Sequence, residues 1–305
     1  MPAAPDLPTT QETTVQGDRP VIAAAWMVVT GLMFVGVTAT VKHLGDRIPA
    51  AESAFLRYAL GLVFLIPMWP QLRAARLTSR ALKLFTLRGL AHAGGVILWF
   101  YGMTQITIAE VTAMNYMTPV YVTLGAALFL GERLAVRRIL AVLAAMAGAL
   151  LILRPGVREL STGHLAMVLC AISLAGSYLL AKRLSGMATP AVIVGSLSVT
   201  VTVILAPVAM AVWVPPTLEE LAWLMLVAAF ATAGHYTMTL AFQAGPLAVT
   251  QPVTFLQLVW AVSVGALFFG EPVDGWVVAG GLLIMAAVSY IALREAHLKR
   301  AAQKS

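Results

Sequence analysis

The side chains able to do chemistry in this chain stand singly in apolar sequence, and their spacing is helical. His92 and Trp99 are seven residues apart, which puts an imidazole and an indole on one face of a helix. Thr232, Tyr236, Thr239 and Gln243 follow at spacings of 4, 3 and 4, a second polar stripe, with His235 one position beside it. Thr112, Asn115 and Pro119 fall at i, i+3 and i+7; Gln251, Thr254 and Leu258 repeat that spacing, with Tyr116 and Gln257 alongside. Hydroxyls, amides, an imidazole and aromatic rings can hydrogen-bond to a small solute and stack on it. A mid-helix Pro119 frees a carbonyl that can meet a ligand or only bend the helix. The same stripes can instead serve as helix–helix hydrogen bonds. His235 is expected to be a packing histidine, and a proton-coupling role through His92, His235 and Glu110 is the alternative use of these titratable groups.

The charged residues read differently. Arg57 sits about seven residues, or roughly 10 Å, into an apolar stretch. It can hold an anion, but an arginine there more often snorkels or pairs, with Glu52 or Glu110 as the expected partner. Glu132 and Glu271 close apolar segments at matching positions and are expected to be structural, as are Lys42 and Lys182 at helix ends. Bond-making chemistry has little to use. There is no HExxH, no GxSxG, no Gly-rich phosphate loop and no paired-aspartate motif among the 13 acids. The single Cys170 rules out an intramolecular disulfide and a CxxC centre. No catalytic residue, metal ligand or cofactor is assigned, and an enzyme is not expected.

Composition says what must position these groups. Of 305 residues, 60% are hydrophobic and 11% charged, against about 25% charged in an ordinary soluble domain. With a mean hydropathy of +0.88, polar side chains are too few to cover a water-facing surface, so an all-α, polytopic membrane protein is expected. Ten segments are long and apolar enough to span: about 21–43, 50–70, 84–104, 108–130, 137–154, 163–182, 190–212, 217–240, 246–269 and 274–293. Residues 1–20 are expected to be a disordered tail, and 296–305 a second tail. Ten spans put both ends of the chain on one side. The connections on that side hold 15 of the 20 Lys and Arg and those on the other side 4, which predicts cytoplasmic termini in an inner (plasma) membrane. The same split accounts for the net charge of +7 without a nucleic-acid partner.

The chain also repeats itself. Ala127 to Glu132 (ALFLGE) matches Ala266 to Glu271 (ALFFGE) at an offset of 139, and Met27, Gly36 and Lys42 meet Met167, Gly176 and Lys182 at 140. Each half therefore holds five spans, and an odd number inserts the second half upside down. Inverted repeats of this kind are a mark of secondary transporters, with the solute site near the midplane between halves.

Several features together resemble the EamA family of the drug/metabolite transporter superfamily. They are Glu52-xxxx-Arg57, Arg88-Gly89, Pro119 followed by Gly131-Glu132-Arg133-Leu134, Arg154-Pro155-Gly156, and Gly270-Glu271. The resemblance implies two repeats, 21–156 and 163–295, and movement of a small organic metabolite such as an amino acid or a derivative. A vitamin or cofactor carrier with a riboflavin- or S-adenosylmethionine-like substrate is the alternative, and a membrane receptor or scaffold is the alternative that moves nothing. The second copy has Leu258 where the first has Pro119, which leaves a kink in the ninth span in doubt. Small residues on the fifth and tenth spans, among them Gly148, Gly280 and Gly281, are expected to pack within the scaffold or to form a homodimer contact.

Overall fold

The computed structural model describes residues 19–302, save 76, 131–135, 155–156, 158, 185–186, 245–252 and 255. Among the described residues all regular structure is helical. The helices are α1 (Pro20–Leu44), α2 (Ala50–Gly61), α3 (Trp69–Ala74), α4 (Ser79–Gln105), α5 (Ile108–Asn115), α6 (Thr118–Leu130), α7 (Val136–Leu153), α8 (Thr162–Leu184), α9 (Pro190–Ala211), α10 (Leu218–Ala244), α11 (Leu256–Phe269) and α12 (Gly275–Ala302). Their ends are written in the sequence. Prolines open α1 and α9, where the missing N–H is no loss. Thr78 caps α4 through the Ala81 amide, and Thr107 and Glu110 form a reciprocal capping box on α5.

Six of these helices are long and apolar enough to cross a membrane, and shorter apolar ones cover 139–153, 256–269 and 275–290. Two expected spans are not simple helices. The second turns into a 3-10 stretch over Leu62–Met68, where Pro67 withdraws a donor and its ring crowds the carbonyl four residues back. The fourth is two helices, α5 and α6, divided at Tyr116 and Met117. The last helix runs on to Ala302, through the segment expected to be a tail.

Packing follows the repeat. α1 lies on α10, α4 on α8, α2 on α9 and α7 on α12. α11 lies on α1 as α6 lies on α8, and α10 on α2 as α4 on α9. Adding 140 to the residue numbers turns each of these pairs into another or into itself. The halves are therefore related by a two-fold exchange, and each long helix has its principal partner in the other half. The central core draws on both: Val37, Phe100, Met103 and Met114 from the first, Met167, Leu205, Leu258 and Ile284 from the second.

Lipid is as apolar as leucine, so close backbone approach must hold such helices together. α7 and α12 cross at glycines: a Cβ on Gly280 would stand 2.5 Å from the Gly148 carbonyl oxygen, and one on Gly148 2.7 Å from that of Gly280. Gly281 abuts Leu258 and Ala113. These small residues do their packing inside the chain.

One end of the bundle gathers the connections near 45–49, 106–107, 154–161, 212–217 and 270–274, since polar contacts link them all. Lys42 pairs with Glu271 and reaches the Ile106 carbonyl; Arg47 pairs with Glu220; Arg154 pairs with Asp274. The Arg19 amide bonds the Ala244 carbonyl at the other end, where Ala81, Phe85, Leu184 and Val192 form an apolar cluster.

Candidate functional site

The break in the fourth span is the centre of the site. α5 is eight residues long, about 12 Å at 1.5 Å per residue, so it stops near the middle of a ~30 Å hydrocarbon layer. Tyr116 and Met117 form a tight turn there, with the Tyr116 amide bonded to the Ala113 carbonyl, that of Met117 to Met114, and those of Val120 and Tyr121 to Met117. Pro119 does not kink a continuous helix. It sits in the first turn of α6, where it breaks no ladder bond. In the ninth span Thr254, the offset-139 counterpart of Asn115, is a turn and α11 opens at Leu256, while 245–252 lie outside the described residues. The break in the fourth span touches this turn, because the Tyr116 hydroxyl donates to the Thr254 carbonyl at 3.2 Å.

Around them lie polar groups with nothing to bond. The Asn115 and Gln257 amides and the Trp99 and Trp260 indole N–H groups have no hydrogen-bond partner among the described residues. Trp99 and Tyr116 pack on the central core beside Val96 and Met117. Gln257 reaches that region because its α-helix seats on Gly31 of α1, whose would-be Cβ is 3.4 Å from the Gln257 Cβ.

A second polar cluster sits one layer away. His92 is midway along the 27-residue α4, and its Nε2 is 2.8 Å from the Tyr58 hydroxyl and its Nδ1 3.2 Å from the Ser177 hydroxyl. The Arg57 guanidinium carbon lies 4.0 Å from the centre of the Tyr58 ring. Arg88, one helical turn before His92, donates to the Ile193 carbonyl at 3.1 Å. Arg57 takes neither expected partner: Glu52 accepts from the Val214 amide at 2.8 Å, while Glu110 caps α5 and meets His164 at 3.3 Å.

The remaining expected residues fall elsewhere. His235 stacks edge-on against Phe34, ring centres 5.2 Å apart, and Tyr236 is 62% exposed. Glu271 binds Lys42 and accepts the Ile108 amide, holding the N-terminus of α5. Glu132 and Gln251 lie outside the described residues, as does the side chain of Thr239. A cavity of about 380 Å³ opens at the ion-paired end between Asp46, Ser53, Phe100, Tyr101, Thr104 and Gln105, away from both polar clusters. Sequence reasoning passed over Tyr58, Ser177 and the Thr30–Thr237 hydroxyl pair at 2.9 Å. The i, i+4 spacing of Arg88 and His92 was the signal that could have found the second cluster.

Comparison with known proteins adds to this geometry. Residues 21–154 and 161–293 each match the EamA-like transporter family. A riboflavin transporter of Rhizobium johnstonii (strain DSM 114642 / LMG 32736 / 3841) is 32% identical over 289 residues, 94% of this chain and 96% of that protein. The pseudopaline exporter CntI of Pseudomonas aeruginosa (strain UCBPP-PA14) is 28% identical over 265 residues, 85% of this chain and 92% of that one. A solved crystal structure is similar in fold, with a TM-score of 0.58 at 18% identity, over 91% of this chain and 97% of the other.

Proposed function

Since the chain belongs to the EamA-like transporter family, we infer that it carries a small organic metabolite across the inner membrane by alternating access. The two halves, five spans each and inverted with respect to one another, would exchange conformations around a site at the midplane. Cytoplasmic termini follow from the 15-to-4 distribution of Lys and Arg between the two faces. The observation that carries this reading is the broken fourth span meeting the turn that precedes α11, the Tyr116 hydroxyl of one half bonded to the Thr254 carbonyl of the other. Irregular backbone at membrane depth is tolerated where it lines a cavity or binds a ligand.

The substrate reading is a planar, polar ring of the flavin kind. Trp99 and Tyr116 offer faces for stacking, and the Asn115 and Gln257 amides offer both donors and acceptors to ring carbonyls and nitrogens. The similarity to the R. johnstonii riboflavin transporter, end to end, supports that class.

Counterflow in proteoliposomes tests it. Vesicles loaded with unlabelled riboflavin are expected to accumulate labelled riboflavin only when the protein is present. Trp99→Ala and Gln257→Ala are each expected to cut the initial rate at least tenfold, about 1.4 kcal/mol of lost interaction. Undiminished exchange in both variants would remove the site, and absence of flavin exchange by a folded wild-type protein would remove the substrate class.

A further inference from the structure

Arg57 and Arg88 are buried within the bundle, 8% and 6% exposed. A buried cation is costly unless it is paired, and a guanidinium has five N–H groups to satisfy. Here almost none are satisfied. Among the described residues Arg57 has no hydrogen-bond acceptor and only the face of Tyr58, while Arg88 has the single Ile193 carbonyl and its Nε is buried without a partner. Among the described residues neither has a carboxylate in ion-pair range. The embedded acids are engaged elsewhere: Glu52 on the Val214 amide, Glu110 on Thr107 and His164, Glu271 on Lys42.

The two arginines also converge. Arg57 stacks on Tyr58, Tyr58 bonds to His92, and His92 stands one turn beyond Arg88 on the same face of α4. Arg57 thus lies against the Tyr58–His92 pair, with Arg88 one turn from it. Two largely buried guanidiniums beside that pair, one without an acceptor and the other with only the Ile193 carbonyl among the described residues, are an arrangement that lacks its anion.

We propose that Arg57 and Arg88 form an anion subsite in the solute pathway, taking a carboxylate or phosphate group between them. The inference rests on the bundle interior being that pathway, as argued above, and it extends the substrate class from a planar ring to one bearing an anionic group. Planar guanidinium matches both oxyanions with paired hydrogen bonds, which lysine cannot do. The shared chemistry is an oxyanion, carried on the solute or bound as free inorganic anion.

The experiment uses the full-length protein in detergent and three probes: riboflavin, riboflavin 5′-phosphate and inorganic phosphate, each titrated at constant ionic strength. If the anion is part of the solute, the phosphate ester binds at least tenfold more tightly than riboflavin, and Arg57→Gln and Arg88→Gln each abolish the difference. If it is a free ion, inorganic phosphate saturates by itself with the same dependence on both arginines. No saturable binding of either phosphate, or binding that both glutamine variants retain, overturns the subsite. Should a glutamine variant not fold, Arg57→Lys and Arg88→Lys decide: they keep the charge and lose the fork, so affinity must fall at least threefold, and an unchanged affinity overturns the assignment. Riboflavin exchange that persists without any anion binding sinks the subsite alone. Arginine-dependent phosphate binding without flavin exchange sinks the flavin reading and leaves the subsite standing.

Discussion

At the scale of single residues, the clearest contrast is between charges that have partners and charges that do not. Glu271 does two jobs with one carboxylate, accepting the Ile108 amide at 2.9 Å and pairing with Lys42, which itself reaches the Ile106 carbonyl at 2.9 Å. The residues come from α1, the α4–α5 connection and the end of α11, so the carboxylate ties both halves at the start of the short helix that ends at the site. Removing it leaves a largely desolvated ammonium and an open helix N-terminus. Glu271→Gln is expected to lower stability by about 1–3 kcal/mol, read as a fall in Tm in detergent. Lys42→Met in the same chain is expected to recover part of that loss, because the stranded charge goes with it. Losses that simply add in the double variant would mean the two side chains do not act together. A carboxylate after a glycine at the end of a span marked this residue as structural in the sequence. Its reach to α5 was not legible, because it depends on which helix ends meet.

Elements show where sequence patterning succeeds and where it stops. Of the ten apolar segments, six are helices long enough to cross a membrane among the described residues and shorter apolar helices cover part of others, since a bilayer demands length and apolarity of every span. Hydropathy could not see that the fourth segment is α5 and α6, because a window of span length averages Asn115, Tyr116 and Thr118 with the strongly apolar residues that follow. Pro119 was read as bending the helix or freeing a carbonyl for a ligand, and Leu258 left a kink in the ninth span in doubt. Neither reading located the break at Tyr116 and Met117. The break is held by Tyr116 and Thr254 across the interface between halves, which no local pattern encodes. Small residues were legible as close-packing positions but not as a specific pair. With each glycine against the other's carbonyl, Gly280→Ala must force α7 and α12 apart by several tenths of an ångström or more. Overpacking of this kind is expected to destabilise by about 1–3 kcal/mol. Gly176→Ala, where a Cβ meets nothing within 4 Å, is the matched control. Equal Tm values for the two variants would mean that the crossing is looser than the backbone distances require.

For the whole molecule, one end of the bundle shows how the halves are fastened to each other. Five polar ties join the halves at one end: Lys42 with Glu271, Arg47 with Glu220, Arg154 with Asp274, Glu110 with His164, and Glu52 with the Val214 amide. At the other end the described contacts include an apolar cluster of Ala81, Phe85, Leu184 and Val192 and a backbone bond from Arg19 to Ala244. A carrier that alternates between two inverted halves must open each end in turn, so under the proposed function the tied end would release these contacts once per cycle. Arg47 is half-exposed, and a pair such as Arg47–Glu220 is individually weak, whereas Glu110, His164 and Glu52 are buried and need water or new partners when this end opens. Locking this end should then stop the cycle without touching the site. Arg154→Cys with Asp274→Cys, joined by a short reducible thiol cross-linker, is expected to abolish riboflavin counterflow, and reductant to restore it. Cys170 is buried and free, so it offers the reagent no competing target. Equilibrium binding from the opposite side should survive the cross-link, because the interior site is untouched. Exchange that continues at an unchanged rate in fully cross-linked protein would mean that this end never opens, and that the ion pairs are part of the static frame.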